Sequence, residues 1–290
     1  MTPNIINLRH QLLKNTRQYF WQNDFLEIDT PVLQKSLPLE PNIYPLTTKW
    51  SQSQGILYLS TSPESALKTA FSTLKKPIFS ISKSFRNLES ASPHHQPEFT
   101  MLEWYTPNTD YTQTISQLQN YLSFVFKKFN FPFPHKPETI SLSKLFSLYT
   151  HTSLPQNEPD LNQIFLNQIG PRLTQHPYLF ITDYPAFMSP LAQKNPQNPH
   201  LSQRFELYLN GIEIANGCTE NRDSADISNS FLKEKQYRLS QNLPLPKIDS
   251  HFAKISTQIP PSSGCGLGLD RLLLLLSGQK SLNQVTFLNL

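Results

Sequence analysis

Glycine is scarce in this 290-residue chain, with 8 against 25 prolines. Phosphate-cradling loops are built from glycine, so the shortage bears directly on nucleotide binding. No pair of these glycines meets the Walker spacing of Gly, four residues, then Gly-Lys-Ser/Thr. The dinucleotide fingerprint G-x-G-x-x-G fails too, because Leu269 stands where Gly264 and Gly266 would need their third glycine. Cysteine is rarer still: Cys218 and Cys265 cannot build a zinc cluster, and a reduced, cytoplasmic setting is the expectation. The longest apolar run, Leu272–Leu276, falls far short of the roughly 20 residues that span a bilayer, and the polar start MTPNIINLRH lacks a secretory pattern. Charge is also modest. Lys and Arg number 25 and Asp and Glu 21, a formal +4 with no basic run, which does not demand a nucleic-acid partner. The length allows one large domain or two modest ones, and no linker divides the chain, so a single domain is expected.

What is present reads as alternating helices and hairpins. Ile5, Leu8, Leu12, Tyr19 and Phe20 recur at helical spacing over residues 5–22. FLEIDTPVL (25–33) predicts a short strand ending at Pro31, and Ser62-Pro63-Glu64 predicts a helix start with Ser62 as cap. PIFSIS (77–82) and EFTMLEWY (98–105) predict a long antiparallel hairpin, followed by a helix carrying Ile115, Leu118, Leu122 and Phe126. Residues 131–175, rich in Pro, Asn, Gln and Ser, read as an irregular insertion with two short helices and no chemistry. Strands return at 178–184, 204–211 and 212–217, and a polar helix holds Phe231 to Leu239. A glycine-lined strand then enters a helix with Asp270 as expected cap and Gly278 as stop. The fold class is α+β, a mixed and largely antiparallel sheet flanked by helices.

Three stretches can carry chemistry. Arg86 and Asn87 end the first hairpin strand, facing Glu98, Glu103 and Tyr105 on the second. Such a pairing also suits an ordinary surface ion pair, worth under about 1 kcal/mol. Glu103 and Tyr105, however, share one strand face, and an acid beside a phenol there makes a site for an ammonium group. Glu206, Glu213 and Glu220 follow at intervals of seven, with Glu206 and Glu213 each between apolar neighbours. That pattern fits a solvent-facing sheet, or hard oxygen ligands for Mg²⁺ arriving with nucleotide phosphates. Third, alternate glycines in Gly264-Cys265-Gly266-Leu267-Gly268 clear one strand face as a floor for a planar base, with Arg271 entering the helix beyond; tight strand–helix packing is the alternative.

In this order, FRN…PEFTMLEWY, ANG..E and GLGLDR resemble motifs 2 and 3 of the class II aminoacyl-tRNA synthetases, and FLEIDTPVL resembles motif 1. TSPE (61–64), SPLA (189–192) and RFELY (204–208) are similar to the lysine branch of that family. Two features resemble a truncated group within it, which joins (R)-β-lysine to a lysine of elongation factor P. The chain opens at the motif 1 helix, implying no anticodon-binding OB domain. Ala215 also replaces the glycine of lysyl-tRNA synthetases.

The resemblance implies ATP bent over the sheet, with Arg86 on the α-phosphate and Arg271 and Phe99 at the adenine. Asn87, Glu89, His95, Gly266 and Gly268 complete the nucleotide site, and Glu206 and Glu213 are the implied Mg²⁺ ligands. Arg86 and Arg271 are the implied catalytic residues. For lysine it implies Glu64 and Glu103 at the nearer amine, Asn216 at the carboxylate, and Tyr105 with Glu220 at the distal ammonium. Ala215, Gly217 and Cys218 would form the wall, the Ala215 methyl narrowing it beside the α-carbon. Here Leu88 lengthens motif 2 by one residue, and Cys218 stands where the family has phenylalanine. A homodimer through motif 1 is also implied. The same site is compatible with another acceptor, such as a tRNA, a different protein or a small amine, or with amino-acid binding without turnover.

Overall fold

The computed structural model describes residues 1–52, 55–88, 92–132 and 136–288. The chain opens with α1 (Pro3–Gln22), where the Thr2 hydroxyl accepts from the Ile5 amide and Pro3 sits in the first turn. The predicted strand at 25–33 is divided. β1 (Leu26–Glu27) runs parallel to the later strand β5 (Ile78–Phe85), whereas β2 (Leu33–Gln34) joins β3 (Thr47–Thr48) and β4 (Leu57–Leu59) in a separate small sheet. Pro31 lies between the two pieces, and a residue without an amide proton suits a place outside both ladders. Next come α2 (Glu64–Leu74), β5 (Ile78–Phe85), β6 (Glu98–Pro107) and α3 (Tyr111–Lys128). The α2 start is one residue later than expected, and Ser62 still supplies its hydroxyl to the Glu64 amide.

The stretch expected to be irregular is ordered over most of its length. It forms β7 (Glu138–Ser141), α4 (Leu142–Thr150) and α5 (Glu158–Ile164), then single-turn helices to Gln175. β7 pairs with β8 (Tyr178–Pro185), and Leu142, Leu145, Phe146 and Leu161 bury against Leu179 and Ile181 as a second core. Its polar composition concealed this, because only a few apolar residues face inward. The rest comprises β9 (Lys194–Asn195), β10 (Asn198–Leu209), β11 (Ile212–Thr219), α6 (Ser224–Ser240), α7 (Ser250–Ser256), β12 (Ser262–Gly268) and α8 (Leu269–Ser277).

The large sheet runs β1-β5-β6-β12-β11-β10-β8-β7, with β9 on β10, and it is antiparallel except for the outer pairs β1/β5 and β7/β8. Asn210 and Gly211, both at positive φ, close the β10–β11 hairpin. One face of the sheet carries the main core, where Leu12, Phe20, Leu118, Leu122 and Leu272 from α1, α3 and α8 meet Leu102, Trp104 and Phe205. Asp270 does not cap α8. It is the second residue of that helix, fully buried, and accepts from the Thr100 amide at 2.6 Å and from Arg9, so it ties α1, β6 and α8 together. Gly278 ends the helix at φ 65°, as expected. The opposite face of the sheet is left for the site.

Candidate active site

Strand pairing builds that face. Gly264, Gly266 and Gly268 of β12 lie opposite Tyr105, Glu103 and Met101 of β6, so three bare positions stand beside three large side chains. The intervening Leu102 and Trp104 point into the core. Gly264 is not open floor: a Cβ there would come within 2.6 Å of the Tyr105 ring. Gly266 is open, the nearest side-chain atoms to its notional Cβ being the Met101 sulfur at 3.6 Å and a Glu103 oxygen at 3.8 Å. The resulting cavity has a volume of about 500 Å³ and is bordered by acids at one end and arginines at the other.

The acid end comprises Glu64, Glu103, Tyr105 and Glu220. Tyr105 donates to Glu103 at 2.6 Å. Burial pushes Glu103 well above the usual carboxylate range, and the neighbouring Glu64 adds to the shift. Lys68, which sequence reasoning passed over, lies behind these acids with its ammonium 2.6 Å from both Glu64 and Glu220. Burial alone would depress it, but the two carboxylates outweigh that and hold its proton firmly. The signal was available: Lys68 follows Glu64 by four residues, one helical turn. Glu40 also borders the cavity, and burial followed by the Glu64 charge pushes it up to about 7 against the pull of Arg86, Lys68 and Arg204. Its loop is anchored by the fully buried Arg238, which donates to the Glu40 and Ile43 carbonyls. Glu158, from the stretch read as carrying no chemistry, is another bordering acid.

At the other end, the Arg86 guanidinium lies 5.2 Å from the Phe99 ring centre. Arg271 donates to the His94 and Glu213 carbonyls at 3.1 and 2.9 Å. Burial and the nearby Arg271 charge lower the His94 pKa, and His95 borders the cavity beside it. Glu206 is held on both oxygens, by Arg204 on one and by Tyr184 and Tyr208 on the other at 2.6 and 2.7 Å. Arg204 also donates to the Asn216 side-chain oxygen at 3.0 Å.

A β-bulge sets the β11 side of the cavity. Leu207 pairs with Ala215 but the next residue, Tyr208, pairs with Glu213, leaving Ile214 extra. Ile214 and Ala215 therefore both enter the core, and the Ala215 methyl packs with Leu207 and Leu267 rather than narrowing the substrate wall. Strict alternation could not show this. Gly217 also turns its bare side to the core, where a Cβ would strike the Phe205 ring at 2.6 Å. Ala215 and Gly217 thus border the cavity through their backbone, while Asn216 and Cys218 belong to its rim. Asn87 is not brought to the cavity: its side chain accepts from the Leu88 amide, and its backbone pairs with Tyr44. The extra Leu88 takes positive φ, and Glu89 lies outside the described residues.

A family model for the class II tRNA synthetases of the D, K and N type matches residues 1–289, the whole of the site included. The chain belongs to the class II tRNA synthetase family. As a class II synthetase it is an ATP-dependent ligase. Proteins named elongation factor P–(R)-β-lysine ligase are among this synthetase's relatives. Those from two Buchnera aphidicola subspecies, of Schizaphis graminum and Acyrthosiphon pisum, are 34% and 31% identical, each over 96% of this chain and over 93% and 92% of the relative. One from Klebsiella pneumoniae is 30% identical over 98% of this chain and 94% of its own length. No helix among the described residues is long and apolar enough to cross a membrane.

Proposed function

We propose that this synthetase activates (R)-β-lysine or lysine as an adenylate and transfers it to the ε-amine of a lysine on elongation factor P. The observation that carries the reading is one cavity bordered both by buried acids and by two arginines, Arg86 beside Phe99 and Arg271 beside Gly268. A substrate with two ammonium groups needs paired acids, and Glu64, Glu103 and Glu220 with Tyr105 supply them. Asn216, oriented by Arg204, takes the carboxylate. Arg86 holds the α-phosphate and the attacking carboxylate together in this reading, since a guanidinium can donate to both. The carboxylate oxygen bonds to the α-phosphorus and pyrophosphate leaves. The acceptor amine, neutral when it attacks, then bonds to the carbonyl carbon as AMP leaves, and an amide results.

Glu213, 41% exposed at its side chain, and the Glu206 oxygen that accepts only from Arg204 would supply hard oxygen donors to a Mg²⁺ arriving with phosphates. When bound, the ion would neutralise charge on the phosphates. A homodimer and a cytoplasmic setting belong to the same proposal, supported by the motif 1 resemblance and the two free thiols.

Intact-mass measurement of elongation factor P, incubated with this chain, ATP and (R)-β-lysine, tests the proposal. A gain of one lysyl residue is expected, lost with Arg86→Ala. Unmodified elongation factor P alongside aminoacylated tRNA would overturn the choice of acceptor.

A further inference from the structure

The acid end of the cavity already contains a cation. Lys68 is 1% exposed and does not border the cavity. It projects from α2 behind Glu64 and Glu220, within 2.6 Å of each, and its ammonium faces the rings of Phe252 and Tyr105 at 5.0 and 5.7 Å. Two carboxylates from different elements, one at the start of α2 and one just beyond β11, thus converge on one amine. Glu220 is 3% and Glu103 5% exposed, so these acids sit together where water screens them little.

Three buried carboxylates this close cannot all stay ionised unless cations lie among them; like charges would otherwise force protons onto some of them. With all three ionised, as a cationic ligand favours, Glu64, Glu103 and Glu220 together with Lys68 sum to a formal charge of −2. A diamino acid brings two ammonium groups. We infer that Lys68 is a positioning residue for the amino-acid substrate: a resident counter-ion that pairs with Glu64 and Glu220, holds their carboxylates at the cavity, and leaves the cluster matched in charge to a diammonium ligand. It acts through the two acids and touches no substrate. The inference rests on the lysine reading of the site given above.

An ordinary core ion pair would stabilise the fold in the same way, so the test needs a readout that folding does not move. Lys68→Met should raise the lysine KM at least tenfold in ATP–pyrophosphate exchange while the ATP KM changes less than twofold. In Lys68→Ala, which leaves space for a small cation, millimolar ethylammonium or propylammonium should lower the lysine KM again, while tetramethylammonium, with no N–H to donate, should not. Should the truncated variants not fold, Lys68→Arg keeps the charge. Its longer side chain pushes the two carboxylates into the cavity and should lower the preference for lysine over ornithine at least tenfold. An unchanged lysine KM in folded Lys68→Met, a Lys68→Ala variant indifferent to alkylammonium, or an unchanged lysine-to-ornithine ratio in Lys68→Arg would each overturn the inference. Lysine-induced thermal stabilisation of the unsubstituted chain separates the two levels: without it the lysine reading itself fails and the inference falls with it, whereas its presence beside an indifferent Lys68 overturns the inference alone.

Discussion

The two ends of the cavity are built on opposite principles. At the acid end the charged groups are buried and already satisfied, with Lys68 between Glu64 and Glu220 and Tyr105 on Glu103. At the other end the charge is more open: Arg271 is 22% and Glu213 41% exposed at their side chains and Arg86 lies over Phe99, although Glu206 there is held on both oxygens. An ammonium must be read against many unwanted cations, so its site benefits from acids fixed before binding. On the proposed reading, the difference separates a selective end from a reactive one within a single cavity.

β12 passes through both ends, so equivalent substitutions along it sharpen the contrast. Gly264→Ala, under the Tyr105 ring, forces overpacking against a ring and a backbone carbonyl 2.9 Å away. A loss of about 1–3 kcal/mol is expected, which at this chain length lowers the melting temperature by roughly 2–4 °C for each kcal/mol. Gly268→Ala meets only the Arg271 stem at 3.7 Å and should leave the melting temperature within a degree or so. Equal thermal shifts in differential scanning calorimetry would erase the distinction.

A smaller effect follows from protonation. Burial raises both Glu103 and Glu40, the latter to about 7, so the empty cavity holds protons that dissolved carboxyls would have lost. A diammonium ligand favours the ionised acids, so lysine binding must expel those protons. Calorimetric titration in buffers of different ionisation heat should show proton release near pH 7 and an affinity that weakens as the pH falls from 8 to 6. Proton uptake, or none, would break the account of the acid end.

Much of this was legible in the sequence. Glu103 between Leu102 and Trp104 reads correctly as an inward acid, because strand alternation is a strict geometric rule over β6. The glycine pattern of β12 and the order of the motifs likewise lead to the sheet face that carries the site. Alternation fails at β11, where the bulge moves Ala215 into the core; a bulge comes from pairing with a neighbouring strand, which local sequence does not display. The two short helices expected within 131–175 are there, but the strand at 138–141 was missed for another reason, since an edge strand needs only a few apolar contacts. The one-turn spacing from Glu64 signals half of the Lys68 pairing, but its second partner, Glu220, and the place of Glu40 depend on elements far apart in the chain converging.

The central claim is that both ends serve one activation reaction on a diamino acid. Amino-acid-dependent ATP–pyrophosphate exchange tests it most directly, with norleucine as the comparison because it keeps the carbon chain and lacks the distal ammonium. Exchange with lysine or (R)-β-lysine and little with norleucine is the predicted result. Equal exchange with norleucine, or exchange that needs no amino acid, would contradict the account.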